Sequence, residues 1–337
     1  MPMMNFYQLY PAMLKNQKMS EDDVFFNLCD GYDGVYPYMT ANVTTPYTIA
    51  MSDLSKTGPV ILDLPAGEIY GVVNNAWMQP IKEISGKPGK LLLTGPGQKT
   101  PRDFKGEIIQ SDTFLVLYFY RATGTGEAAG KLRTAVQAYK LSEAKNPPKT
   151  KFIKYDPKPG DKVHLNTQPR DMRFWELVNA YVQKEPMADR DRFFYAWLKD
   201  LGIEKGKPFK PDARMKKILT DAAAIGNAAA RAISFSPRNP GLYTYGKNSG
   251  WFKPIINGDT TYTKNGAREL EGRVFYHFGY ICVSPAMATT IPGAGSDYAM
   301  GMVDSNQQPL DGAKTYKLHL PPNIPVKDFW ALTMYDN

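Results

Sequence analysis

Two stretches of the chain alternate short apolar runs with glycine and proline punctuation, and the stretch between them carries apolar residues at helical spacing. Phe6, Leu9, Tyr10, Met13 and Leu14 share one face of a predicted helix over Asn5–Gln17. Ser20 followed by Asp23 resembles a capping box and predicts a second short helix through Leu28. From residue 38 to 120 the pattern turns to strands, expected over Thr40–Ser52, Pro59–Leu64, Ile69–Asn75, Leu91–Thr94 and Thr113–Tyr120. In the last of these, Phe114, Val116, Tyr118 and Tyr120 alternate with Leu115, Leu117 and Phe119. Both faces are apolar, so a central strand covered on both sides is expected.

Helices are expected next over Glu127–Leu141 and Asp171–Lys184, then after Asp189 and after Asp212, with Gly202 as a stop. The lysine- and proline-rich segment 143–170 reads as an exposed linker. Beyond residue 235 the clearest apolar runs are Trp251–Ile256 and Arg273–Val283, the second expected as a buried strand. The tail predicts strands over Tyr298–Val303, Lys314–Leu320 and Phe329–Tyr335, separated by proline and glycine turns. This meander ends where a further strand would cover its edge, so completing strands are expected beyond the chain or from a neighbour.

Two long motifs carry a family resemblance. The first joins Asn42-x-Thr44-Thr45-Pro46-Tyr47, Asp53-Leu54, Leu64-Pro65-x-Gly67, Trp77-x-Gln79-Pro80 and Gly95-Pro96-Gly97. The second joins Leu310-Asp311-Gly312, Tyr316-x-Leu318-His319-x-Pro321-Pro322 and Phe329-Trp330-x-Leu332-Thr333-Met334-Tyr335-Asp336. They resemble the bacterial family that pairs domain of unknown function 1254 with domain of unknown function 1214, in that order. The resemblance implies a helical module between two β domains, and a periplasmic or secreted location. The expected fold is therefore multidomain, α and β: two antiparallel β-sandwiches of jelly-roll type with an α-helical module inserted between them. Boundaries are expected at 1–31 for N-terminal helices, 32–122 for the first sandwich, 123–235 for the helical module and 236–337 for the second sandwich.

Composition narrows the partners. Hydrophobic content of 43% beside 22% charged residues fits an ordinary globular chain. The net charge of +8 is spread along the sequence, with no basic helix and no aromatic–basic interleaving, so no nucleic-acid partner is expected. No run of eighteen apolar residues occurs, so no membrane span is expected, and no signal peptide is visible. Cys29 and Cys282 form no disulfide framework, and whether they pair stays open. With three histidines and two cysteines, no metal or other cofactor is expected.

The chemistry-bearing candidates are few. His277, flanked by Tyr276 and Tyr280, reads either as a core histidine or as a general base lining a cleft. His319 reads as a sheet-face residue. Asn42, Thr44, Thr45 and Tyr47 are polar where a sandwich core wants apolar residues, and can bind a sugar or form a hydrogen-bonded edge. Trp77 beside Gln79 at a loop mouth is a sugar-stacking pair or a buried ring with a polar neighbour. If the sandwiches lie side by side, Tyr47, His277 and Asp297 are expected as acid–base residues. Asn42, Thr44, Thr45, Trp77, Gln79, Tyr276 and Tyr298 would then line a site for a small polar ligand or glycan. The alternatives are a non-catalytic binding protein of the envelope or exterior, and a structural protein assembling through sandwich edges as a homo-oligomer.

Overall fold

The computed structural model describes residues 2–30, 40, 46–123, 126–154, 167–253, 255, 258–280, 282–289, 297–326 and 330–335. They are mixed α and β and divide into two units, residues 1–227 and 228–337.

The first unit opens with α1 (Pro2–Gln17), whose Phe6, Leu9, Tyr10 and Met13 are buried as their spacing demands. Ser20 and Asp23 do make the expected local bonds: the Ser20 N–H and Oγ both donate to Asp23 Oδ2, at 2.9 and 2.8 Å. No helix follows. The chain instead enters β1 (Phe25–Cys29), flanked by β2 (Tyr47–Asp53) on one side and β10 (Lys151–Lys154) on the other. The ladder of hydrogen bonds on both edges overrides the local helix signal.

After β2 come a single turn, α2 (Leu54–Thr57), then β3 (Val60–Leu64), β4 (Ile69–Asn75), β5 (Pro80–Ser85), β6 (Gly89–Thr94), β7 (Glu107–Gln110) and β8 (Leu115–Ala122). The expected helix over Glu127–Leu141 is divided. Residues Gly126–Thr134 form α3, and Gln137–Lys140 form strand β9 on the free edge of β3. Val136 and Ala138 thereby reach the core, which a continuing helix could not have allowed. Lys151–Lys154, inside the expected linker, is β10.

Two sheets result, one ordered β10-β1-β2-β8-β4-β5 and the other β7-β6-β3-β9. Phe26, Ala50, Val73, Ile84, Tyr118 and Tyr120 of the first sheet share one core with Val60, Leu62, Leu91, Leu93, Ile109 and Ala138 of the second. β3 is buried on its far face as well, where Ile61 packs with Leu92 and Tyr139. β8 is central and buried on both faces, as its sequence requires.

The helices that follow are α4 (Met172–Lys184), α5 (Arg192–Asp200) and α6 (Ala213–Phe235). Asp171 caps α4 by accepting the Arg173 N–H at 2.9 Å, and Asp212 accepts the Met215 N–H at 2.7 Å at the head of α6. Gly202 takes φ +83, the left-handed stop expected of it.

In the second unit α7 (Leu270–Gly279) occupies most of the run expected as a buried strand. Gly272, Phe275 and Tyr276 bury at helical spacing. A continuous apolar run hides that period among equally apolar neighbours. The helix α8 (Pro285–Ala288) follows. The strands described here are two-residue pieces: β11 (Trp251–Phe252) pairs with β14 (Met300–Gly301), and β12 (Thr263–Lys264) with β13 (Ala267–Arg268). The expected strand Lys314–Leu320 lies in no ladder. Its residues are exposed, as is His319. Residues 327–329, where the last expected strand begins, fall outside the described set.

Asp23 also anchors the edge of β10. Its Oδ1 accepts from Lys151 Nζ at 2.7 Å, and that bond with the Ser20 donors holds its pKa down to about 2, against an ordinary 3.8. A carboxyl depressed in the folded state contributes stability above its ordinary pKa and loses it as pH falls towards the depressed value. Denaturant midpoints should therefore fall between pH 4 and 2, and Asp23→Asn should flatten that limb.

Candidate functional site

A buried carboxylate organises a polar cluster in the first unit. Glu185 immediately follows α4, has 0% of its surface exposed, and turns the chain into extended backbone. Its Oε2 accepts the Phe114 N–H at 2.5 Å. Its Oε1 accepts the Leu115 N–H at 3.0 Å and the Tyr7 hydroxyl at 3.0 Å. These donors come from the start of β8 and from α1, so one side chain ties three elements together. Burial pushes the Glu185 pKa up, and the two backbone donors and Tyr7 pull it back.

Lys205 holds Glu185 in place from behind. Its Nζ donates to the carbonyls of Glu185, Gln183 and Val182 at 2.7, 3.1 and 3.2 Å, satisfying the open end of α4. Lys205→Met should lower stability by about 1–2 kcal/mol in urea unfolding, because orphaned carbonyls replace charged hydrogen bonds.

Three phenols surround the carboxylate. Tyr7 and Tyr181 meet edge to face at 5.8 Å, and burial raises both of their pKa values. Tyr195 on α5 is pushed up to about 12, chiefly by burial. The Tyr181 ring also receives Trp77 edge-on at 5.3 Å.

Trp77 owes its position to Asn75. The Asn75 Oδ1 accepts the Trp77 and Gln79 N–H groups, each at 3.0 Å. Its Nδ2 donates to Asp112 Oδ1 at 2.7 Å and to Gln79 Oε1 at 3.3 Å. Met78 closes this turn between β4 and β5 with φ +56. Asp112 Oδ2 in turn accepts from Arg190 Nη2 at 2.7 Å. Tyr7, Trp77 and Gln79 are half-buried, and Asp112 and Arg190 are exposed. A polar, aromatic rim is thus linked to the buried carboxylate through Tyr181 and Tyr7.

Of the residues singled out in the sequence, Trp77 and Gln79 are brought together here. Glu185, Tyr7, Tyr181, Asp112 and Arg190 were missed. Their one local signal is the end of an amphipathic helix at Lys184-Glu185-Pro186, which marks a boundary and says nothing of chemistry.

Tyr47, at the head of β2, is half-buried with its ring 5.9 Å from Phe119. Asn42, Thr44 and Thr45 lie outside the described residues.

Tyr276 and His277 sit on α7 in the second unit. Tyr276 is fully buried, stacks on Tyr280 at 4.6 Å and donates its hydroxyl to the Cys282 carbonyl. His277 lies 5.2 Å from the Tyr276 ring and 5.8 Å from that of Tyr262. Burial and the neighbouring Arg273 hold its pKa well below the ordinary imidazole value, so it is neutral. Asp297 and Tyr298 are exposed, and Asp297 Oδ1 accepts the Tyr298 N–H at 3.1 Å. Cys29 is buried, and burial pushes the Cys282 pKa up to about 12.

Among the described residues no group of three or more His, Cys, Asp or Glu side chains could hold a metal ion. Among the same residues no helix is long and apolar enough to cross a membrane.

No curated protein sequence matches the chain. Among solved structures it is similar to the VPA0106 protein from Vibrio parahaemolyticus, at 14% identity and a TM-score of 0.49. That match covers 93% of this chain and 72% of the other. Residues 36–143 match the family described as Protein of unknown function (DUF1254), and residues 295–337 match Protein of unknown function (DUF1214). The two matches fall in the amino-to-carboxyl order that the two motifs imply.

Proposed function

We propose that the protein acts on a small polyhydroxylated substrate, a sugar or short glycan, held at the Trp77 rim of the first unit. One observation carries this reading: the half-buried Tyr7 hydroxyl donates at 3.0 Å to a carboxylate with no exposed surface, and Tyr7 and the half-buried Trp77 both pack on Tyr181. An aromatic face stacks on the apolar side of a sugar ring. The Tyr7–Glu185 pair can pass a proton between the ligand and the interior. Asp112 and Arg190 supply an acceptor and donors for hydroxyl groups.

A binding-only reading is favoured by the two backbone N–H groups on Glu185, which suit an anchor as well as a proton acceptor. The finer architecture proposed with the function is a pair of jelly-roll sandwiches flanking the helices. The shared core of the first unit's two sheets supports the first of them. A periplasmic or secreted location rests on family resemblance alone.

The test is a thermal-shift screen of neutral oligosaccharides. Wild type should be stabilised by at least one of them. Trp77→Ala should weaken that binding roughly tenfold, a loss of about 1.4 kcal/mol. Tyr7→Phe should keep binding but lose turnover if the pair handles protons, and lose neither under the binding-only reading. Tyr47→Phe and His277→Ala should behave as wild type. If those two abolish the shift while Trp77→Ala retains it, the site belongs to Tyr47 and His277 and this reading fails.

A further inference from the structure

The helix that carries the buried Tyr195 presents its other face to solvent. On α5, Phe193, Phe194 and Trp197 are 64, 52 and 55% exposed. Their rings meet one another: Phe193 and Trp197 at 4.5 Å, Phe194 and Trp197 at 5.9 Å, and the two phenylalanines at 6.1 Å. Three large rings gathered on a surface mark an interaction site.

This patch continues the Trp77 rim. Asp189–Asp191 form a 3-10 turn that runs directly into α5. Arg190, Phe193, Phe194 and Trp197 thus stand at i, i+3, i+4 and i+7, the spacing of one helix face, where neighbouring Cβ atoms lie about 5–6 Å apart. Arg190 is the rim residue that donates to Asp112 at 2.7 Å, and Asp112 accepts from the Asn75 amide that sets Trp77. Asp191 and Tyr195 occupy the buried side of the same segment. One connected track therefore leads from Trp77 through the Asp112–Arg190 pair to the rings of α5.

The chemistry of the track selects its occupant. Aromatic rings stand at both ends, with hydrogen-bonding groups between them. The charges beside the rings are paired, Arg190 with Asp112 and Arg192 with Asp189, so they offer little pull to an anionic surface. Ring faces interleaved with donors and acceptors match the apolar faces and hydroxyl edges of a neutral glycan. From Arg190 to Trp197 the helix rises about 10 Å, more than one sugar ring.

We propose that the ligand of the Trp77 rim is an oligosaccharide of several residues, one end at Trp77 and the other stacked on Phe193 and Trp197. This assignment rests on the function proposed for that rim.

The experiment is calorimetric titration of the full chain with neutral glucans of two lengths, cellobiose against cellohexaose and maltose against maltohexaose. In at least one pair the hexaose should bind about tenfold more tightly than the biose. The double variant Phe193→Ala, Trp197→Ala, altered only at exposed side chains, should bring that ratio to about one. Trp77→Ala should weaken both lengths about tenfold and keep the ratio. Binding of none of the four glucans overturns the rim function and this inference with it. A wild-type ratio near one, or an unaltered ratio in the double variant, overturns this inference alone and leaves the rim function standing. Should the double variant turn a dimeric wild type into a monomer at unaltered ratio, the face joins two copies of the chain and the inference fails.

Discussion

Glu185→Leu is expected to cost about 3–5 kcal/mol of stability in the first unit. Glu185 accepts the N–H groups of Phe114 and Leu115 and the Tyr7 hydroxyl, and it has no exposed surface. Leucine fills similar volume but accepts nothing, so three donors lose their acceptor at once, each worth about 1–3 kcal/mol when buried. The sum is discounted because Tyr7 is half-buried and can turn to water.

Glu185→Gln keeps one acceptor oxygen and should cost less than half as much, while Tyr7→Phe should cost about 1 kcal/mol. Amide hydrogen exchange provides the local readout: protection at Phe114 and Leu115 should collapse in Glu185→Leu and survive in Tyr7→Phe. Equal protection in wild type and Glu185→Leu would mean that the carboxylate anchors nothing.

Such a centre is hard to see in a sequence. Strand positions were legible because a strand is a local pattern: Ile69–Asn75 is β4 to the residue, and the central, doubly buried β8 follows from apolar residues on both of its faces. Helix starts were legible for the same reason at Asp171 and Asp212, whereas Asp189, expected to cap the third helix, lies in the turn before α5 and accepts from the Arg192 side chain. The errors fall where partners far along the chain outvote a local signal. β9 and β10 exist because β3 and β1 each offered a free edge. α7 was misread because a run apolar at nearly every position shows neither period.

The site divides along the same line. Trp77 and Gln79 stood out as polar and aromatic residues beside a turn. Glu185 and its partner Tyr7 are 178 residues apart, and nothing local in either joins them. Only the docking of α1 on α4 does so.

Phe26→Ala should destabilise the first unit by about 3–5 kcal/mol, the range for emptying a buried phenylalanine site. Phe26 is 0% exposed and touches Tyr118, Tyr120 and Phe152, at ring distances of 5.7, 5.4 and 5.3 Å. It therefore holds β1, β8 and β10 to one another at the centre of the shared core. Phe193→Ala, on a side chain 64% exposed, removes as many atoms but should change stability by no more than about 0.5 kcal/mol. The pair also tests the strand at Phe25–Cys29 against the helix that Ser20 and Asp23 suggest. A helix would present Phe25 and Phe26 a quarter-turn apart, whereas the strand sends them to opposite faces of the sheet. Phe25, 1% exposed, should then be as costly to truncate as Phe26 through a different set of neighbours, and the two losses should add. Urea midpoints of the two single variants and the double variant measure this directly. Strong non-additivity would mean that the two rings share neighbours, against the alternation of the strand.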